Sequence, residues 1–369
     1  MEDRPVKVLM VVPNIRSSSG VTRFVMNYYR NVDHSKIQID FATLQYRESP
    51  YYEEVEKCGS KVFNLGSLFR HPIKHHKNAK KVIAEGGYDI IHDNTLLQSV
   101  PVMKYAKKKV PVRILHSHNT KMGETPVKEF LNRLLLPILI RKANYFSACS
   151  SKAGEAMFGK RPFTVIPNII DTDDLLFDNS KREEVRSREN SSDKEIIGTV
   201  GRLAAQKNPF FAMDVMDEVL SRRPDAVYWW IGNGVLDEEV KKYVETKKNK
   251  DRIRLFGSRD DANELYQGMD VFFLPSIFEG FGLSCIEAEA VGLPCVVSTE
   301  FPSEVNVTGK VILIPLDKGI DHWAGRIIDC IDEKYDRAEC NEIVKASIYS
   351  KAGSGSVLSR YYEELVSGK

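Results

Sequence analysis

Glu279 and Glu287 stand either side of a glycine-rich turn in the stretch FEGFGLSCIEAEAVGLP, residues 278–294. A strand-like run, DVFFLPS at 270–276, comes before it, and residues 285–290 are apolar and acidic at helical spacing. Gly280 and Gly282 therefore fall where a strand turns into a helix. The free amides of a first helical turn and the positive end of the helix dipole suit a phosphate. Two carboxylates in the same place suit hydroxyl groups rather than a further anion. A sugar nucleotide carries both kinds of group.

Two cations form a second constellation. The run EIIGTVG, residues 195–201, reads as a strand and leads into Arg202-Leu-Ala-Ala-Gln-Lys207-Asn-Pro, where a helix begins. Arg202 offers a fork to phosphate oxygens and Lys207 a point charge, together able to offset the negative charge that develops on a departing diphosphate. An Arg and a Lys five residues apart are more often solvated surface, but the glycine turn in the same half of the chain favours the site. Nearer the start, a strand ending at Pro13 is followed by NIRSSSGVTRF, with Gly20 just before a helical run. Small residues after the first strand mark the ligand loop of doubly wound folds. The loop is not a GxGxxG fingerprint, and Ser18 or Ser19 either caps the helix alone or also touches a ligand. His116 and His118, in HSHN at 116–119, close another strand-like run.

Short β-rich runs alternate with helical stretches from end to end, the pattern of parallel sheets covered on both faces. The first series of strands is expected at 6–13, 37–44, 61–65, 88–93, 111–117, 144–149 and 163–167. The second is expected at 195–201, 226–232, 252–257, 270–275, 294–298 and 311–315. At 369 residues the chain is long for one core and sufficient for two α/β domains facing a cleft. The junction is placed near residue 170, before the polar stretch 178–194, which reads as a charged surface helix or a mobile loop and not as core. Residues 352–366 have helical spacing and are expected to return to the first domain.

Hydrophobic content of 42% and charged content of 28% describe a globular protein, with no apolar tract near the roughly 20 residues a membrane span needs. The apolar run 6–13 reads as a first strand rather than a signal peptide, which makes the cytoplasm the expected compartment. Six cysteines without CxxC pairs are expected as thiols. Net charge is +2 but lopsided: residues 1–180 hold 27 Lys/Arg against 18 Asp/Glu, and residues 181–369 hold 26 against 33. The basic segments are 71–81, 104–113 and 133–142. They either solvate helix faces or meet an anionic membrane surface, and the strongly apolar third could equally be buried between domains.

Taken together these residues resemble the retaining glycosyltransferases of family 4, with the GT-B architecture of two Rossmann-like doubly wound domains. GRLAAQKN at 201–208, IGNG at 231–234, LFG at 255–257 and the E-x7-E block from Glu279 to Glu287 match in order, and Ser19-Gly20 and HSHN match in the first half. The similarity is greatest to the bacterial exopolysaccharide and capsule transferases. The resemblance implies an acceptor domain at 1–170, a nucleotide-sugar domain at 171–350 and a crossing-back helix at 351–369. It implies that Glu287 takes the ribose diol and that Glu279 takes hydroxyls of the transferred sugar. The backbone of Gly280, Phe281, Gly282, Leu283 and Ser284 would orient sugar and phosphate. Gly201, Arg202 and Lys207 would hold the diphosphate without a metal or other cofactor, and Gly257 to Arg259 would carry the base. A histidine, His116 or His118 with His118 favoured, would bond a sugar hydroxyl.

The function so implied is transfer of a hexose or N-acetylhexosamine to a lipid-linked saccharide, with UDP as the first nucleotide and GDP as the second. The partners would be the donor, the acceptor and an anionic membrane, and not nucleic acid. A non-catalytic glycosyltransferase-like subunit and a sugar-nucleotide epimerase are the competing expectations. A double-displacement glycosidase is disfavoured, because a hydrolase has no use for a diphosphate cradle.

Overall fold

A computed structural model of the chain describes residues 4–15, 20–45, 49–123, 126–333 and 336–368. The chain divides into two units, Met1–Ile169 with Ser354–Lys369, and Ile170–Gly353. Each is built on one wholly parallel sheet.

The first sheet contains β1 (Val6–Val12), β2 (Ile37–Thr43), β3 (Val62–Asn64), β4 (Ile90–Asp93), β5 (Val112–Ser117), β6 (Tyr145–Ala148) and β7 (Thr164–Val165) in the order β3-β2-β1-β4-β5-β6-β7. Side chains alternate across it, as pleating requires. Val8, Met10 and Val12 of β1 pack with helices Gly20–Tyr29, Tyr51–Lys57 and Val357–Ser367. Leu9 and Val11 pack with helices Pro72–Gly86, Val100–Ala106, Pro126–Ile140 and Ser151–Phe158 on the other face. The C-terminal helix thus belongs to the first unit, where Tyr362 is fully buried.

The second sheet contains β8 (Glu195–Val200), β9 (Ala226–Ile231), β10 (Ile253–Gly257), β11 (Val271–Leu274), β12 (Cys295–Ser298) and β13 (Val311–Ile314) in the order β10-β9-β8-β11-β12-β13. Its core joins Ile197, Trp230, Phe273 and Val296 to helices Pro209–Arg222 and Ile320–Asp332 through Met213, Met216 and Trp323. Because the chain winds outward one way from β8 and the other way from β11, the boundary between those strands is the topological switch point. In the first sheet the same boundary lies between β1 and β4.

Within the polar stretch 178–194, residues Asn179–Arg188 form a charged surface helix, one of the two expected readings: most of its residues are exposed, Val185 is the buried one, and Arg182 and Arg186 both pair with Asp270. Their guanidinium groups also bond the carbonyls of Gly268 and Met269, so long cationic side chains do the anchoring that apolar residues usually do. All six cysteines are free thiols. Among the described residues no helix is long and apolar enough to cross a membrane.

Candidate active site

The cation loop after β8 and the turn after β11 meet at the switch point of the second sheet. After Val200 the backbone makes a short helical turn, Ala205–Lys207, which Asn208 ends in the left-handed conformation (φ 54°) before Pro209 opens the next helix. That turn presents Lys207 to Glu279, with Nζ 2.5 Å from Oε1. Ser276 Oγ donates to the same carboxylate oxygen at 2.8 Å. Gln206 binds the two segments together, its carbonyl accepting from Ile277 N at 2.8 Å and its Nε2 donating to Phe278 O at 3.1 Å. Arg202 lies beside it, Nη2 3.4 Å from Gln206 Oε1. The two stretches that the sequence reading assigns to one donor site are in direct contact.

Gly280, Phe281 and Gly282 are buried between Glu279 and helix Leu283–Ala290. Only glycine serves at 282, where φ is 99° and a Cβ would lie 2.3 Å from the Phe301 ring. No side chain caps this helix, so the amides of Leu283 and Ser284 have no intrahelical acceptor and face the turn as donors. Phe281 lies against Tyr349, with ring centroids 4.5 Å apart and planes tilted by 31°. Glu279 and Glu287 are 5% and 2% exposed, and the Tyr266 hydroxyl donates to Glu287 Oε2 at 3.2 Å.

The IGNG and LFG stretches buttress this floor. A Cβ at Gly232 would lie 2.2 Å from Gly201 O, and Gly232 N donates to Gly257 O at 2.7 Å, so the three glycine segments lie against one another at the ends of β8, β9 and β10. Gly201 O also accepts from Trp230 Nε1 at 2.9 Å. Arg259 is a different case. Its guanidinium is engaged by Asp261 at 2.6 and 2.7 Å and by Glu189 at 3.1 Å, which holds it in a carboxylate cluster of its own unit.

Where the second unit pairs a cation with a carboxylate, the first carries a cluster of histidines and an amide beside one buried carboxylate, Asp93. Gly20 begins helix Gly20–Tyr29 and is exposed, while Ser19 lies outside the described residues. His118 and His116 stack at 4.3 Å beside Phe24. His116 is fully enclosed: its Nδ1 lies 3.1 Å from His92 Nε2 and 2.9 Å from Ser147 Oγ, and His92 Nδ1 lies 2.7 Å from the Tyr362 hydroxyl. Among the described residues His116 Nε2 has no hydrogen-bond partner. Burial pushes His92 and His118 down to about 3, and His116 well below the usual imidazole value. All three rings are neutral at physiological pH.

The tautomer of His118 follows from its neighbour. Asn94 Nδ2 donates to the carbonyls of Val11 and His92 at 3.2 and 3.3 Å, which turns Oδ1 toward His118. His118 Nε2–H therefore donates to Oδ1 at 2.7 Å, and Nδ1 keeps its lone pair. Asn94 follows β4, one of the two switch-point strands. The next turn is held by Asp93, which binds Thr95 and Ser99, and it carries Leu96 in the left-handed region at φ 60°.

Comparison with known proteins identifies the chain. Residues 180–347 match the family described as glycosyl transferases group 1, and residues 18–174 match glycosyltransferase family 4. The Bacillus subtilis (strain 168) protein EpsF, a glycosyltransferase by name, is 30% identical over 336 residues, covering 87% of this chain and 86% of EpsF. The chain belongs to the family 4 glycosyltransferases. An Escherichia coli enzyme named UDP-Gal:alpha-D-GlcNAc-diphosphoundecaprenol alpha-1,3-galactosyltransferase is 34% identical over 179 residues, 46% of each chain. Among solved structures, Anabaena HepE in complex with UDP-glucose superposes with a TM-score of 0.79 at 17% identity, covering 98% of this chain and all of HepE, which places this glycosyltransferase in the GT-B fold.

Sequence reasoning missed Asn94, His92, Ser276, Gln206 and Tyr266. For Asn94 a signal existed, since it directly follows a switch-point strand. Ser276, three positions before Glu279, is a local contact, whereas Tyr266 meets Glu287 only through the fold.

Proposed function

We propose that this glycosyltransferase moves a hexose or N-acetylhexosamine from a UDP-sugar, with retention of anomeric configuration, to a lipid-linked saccharide in surface polysaccharide biosynthesis. The contact that carries the reading is Lys207 on Glu279, which unites a cation for a diphosphate with a carboxylate for sugar hydroxyls at one strand boundary. Lys207 and Arg202 bind the diphosphate and stabilise it as it leaves, so that charge is offset by side chains and no metal is needed. The amides of Leu283 and Ser284 take phosphate or sugar oxygens. Glu279 accepts from hydroxyls of the transferred sugar, and Glu287, steadied by Tyr266, accepts from the ribose diol.

With ammonium and carboxylate already paired, the donor enters a site whose charges are preorganised rather than newly desolvated. His118 presents the Nδ1 lone pair to a sugar hydroxyl, a role for a neutral ring. The acceptor hydroxyl attacks on the face the diphosphate leaves, and its proton passes to a departing phosphate oxygen. HepE, crystallised with UDP-glucose, and the E. coli enzyme, whose name specifies UDP-galactose and a diphosphoundecaprenol-linked acceptor, support the nucleotide and the lipid linkage.

A donor panel tests this directly. Slow hydrolysis of one UDP-sugar in preference to GDP-sugars is the expected outcome. Calorimetry that detects no UDP binding at millimolar concentration would refute the donor assignment, and donor turnover to an isomer without an acceptor would replace transfer by epimerisation.

A further inference from the structure

Ser276 is fully buried, and its hydroxyl is spent on Glu279. A serine three positions before a glutamate is a pattern that caps helices by bonding a backbone amide. Here the next helix starts only at Leu283, no side chain caps it, and Ser276 Oγ donates instead to the carboxylate, 2.8 Å from Oε1. The serine is itself held in place. Pro275 before it has a fixed φ, and the hydroxyl of Ser298, the last residue of β12, donates to Ser276 O at 2.6 Å. Ile277 N and Phe278 O, which follow, are both tied to Gln206.

Lys207 Nζ meets the same carboxylate oxygen at 2.5 Å. Two donors, one of them charged, therefore converge on Oε1 and occupy its two lone pairs. The other oxygen is different. Oε2 receives no hydrogen bond from any described residue and is not sealed off, although Glu279 as a whole is only 5% exposed. A carboxylate so poorly hydrated gains most from a ligand donor at the oxygen that has none. Lys207 likewise keeps two N–H groups that meet no acceptor among the described residues, which suits a phosphate beside the same carboxylate.

We infer that Ser276 is a positioning residue for the donor sugar: it fixes the plane of the Glu279 carboxylate so that Oε2 accepts from a hydroxyl of the transferred group. The inference rests on the proposed role of Glu279 and adds which oxygen acts and what selects it. The last torsion of a glutamate is soft, so with Lys207 as its only donor the carboxylate plane swings and reads a hydroxyl less sharply.

Steady-state kinetics of the full-length enzyme, on its UDP-sugar and on the monodeoxy analogues of that donor, test this. The wild type should lose at least about tenfold in kcat/KM on one analogue, because a site built to bond a hydroxyl rejects the donor that lacks it. Ser276→Ala should lose about tenfold on the parent donor but less than about twofold on that analogue. Its melting midpoint and UDP affinity should be kept, since UDP carries no transferred sugar. Ser276→Cys, which fills the same space with a weak donor, should lose the same discrimination. A loss shared equally by every donor, no loss at all, a fall in UDP affinity, or a loss in Ala that Cys does not share each overturns the inference and leaves the donor proposal standing. A wild type indifferent to every deoxygenation refutes Glu279 as a sugar ligand and the inference with it.

Discussion

Both units wind a parallel sheet outward from a switch point, yet they equip that place with opposite chemistry. In the second unit it is ionic: Lys207 against Glu279, with Arg202 and Glu287 close by on the same segments. In the first it is a cluster of neutral groups, His118, His116, His92 and Asn94, with every imidazole held below its usual range by burial, next to one buried carboxylate, Asp93, tied to Thr95 and Ser99. The contrast shows that topology selects where a ligand binds, and burial with partner choice selects what charge it meets. Lys207 and Glu279 lie within hydrogen-bond distance of each other, so each compensates part of the other's lost hydration. A buried imidazole with only amide, hydroxyl and imidazole neighbours has no such offset and stays neutral.

The comparison breaks most visibly at Lys207. Replacing it with Ala should lower turnover by about 10²- to 10³-fold, as expected for loss of one preorganised group that stabilises developing charge. Near-normal kcat would mean that the ionic site does not act on the leaving group. Glu287→Gln should weaken UDP binding by about tenfold in calorimetry, since a hydrogen bond accepted by a charged group is worth roughly 1.5–3 kcal/mol. Unchanged affinity would take the ribose away from Glu287.

The neutral half is sharpened by pH and by Asn94. With His118 held at about 3, kcat of the wild type should show no histidine limb around pH 6.5, and an inflection there would contradict a neutral ring. Asn94→Ala frees the His118 tautomer and should lower kcat several-fold, by about tenfold at most, with UDP affinity unchanged. Loss of UDP affinity instead would make Asn94 a general scaffold residue.

The smallest effect separates two carboxylates on one helix. Glu287 accepts from the Tyr266 hydroxyl, whereas Glu289 accepts from Val307 N, Thr308 N and Thr308 Oγ1, and burial raises it to about 7. A folded-state value above the unfolded 4.5 means that its contribution to stability is complete below pH 4.5 and is lost as pH rises toward 7. Relative to Glu289→Gln, the wild-type melting midpoint should therefore fall by a few degrees between pH 4.5 and 7 and then level off. A constant difference across that range would show that Glu289 is ionised throughout.

Much of this was legible in the residues themselves. Every strand of both sheets lies within the span that periodicity predicted, and the turn at Gly280 and Gly282 opens a helix as its glycines and following residues required. Helix Asn179–Arg188 is the charged surface helix the residues allowed, but hydropathy does not show that Arg182 and Arg186 are tied to Asp270 and to strand-end carbonyls. Asn94 escaped notice because an Asn after a short strand looks like an ordinary turn residue. The exposure of Val127, Phe130 and Leu134 on helix Pro126–Ile140 was equally hidden, since an apolar helix reads the same whether its second face meets core or water.

Sequence by itself determined the two α/β series, the E-x7-E turn and the cations of residues 202–207, because alternation, glycine placement and charge act over a few residues. Only the tertiary structure decided that Lys207 touches Glu279, 72 positions away, and that Asn94 sets the proton of His118. Those facts depend on which strands lie side by side, and strand order follows from the global packing of both sheet faces rather than from any local pattern.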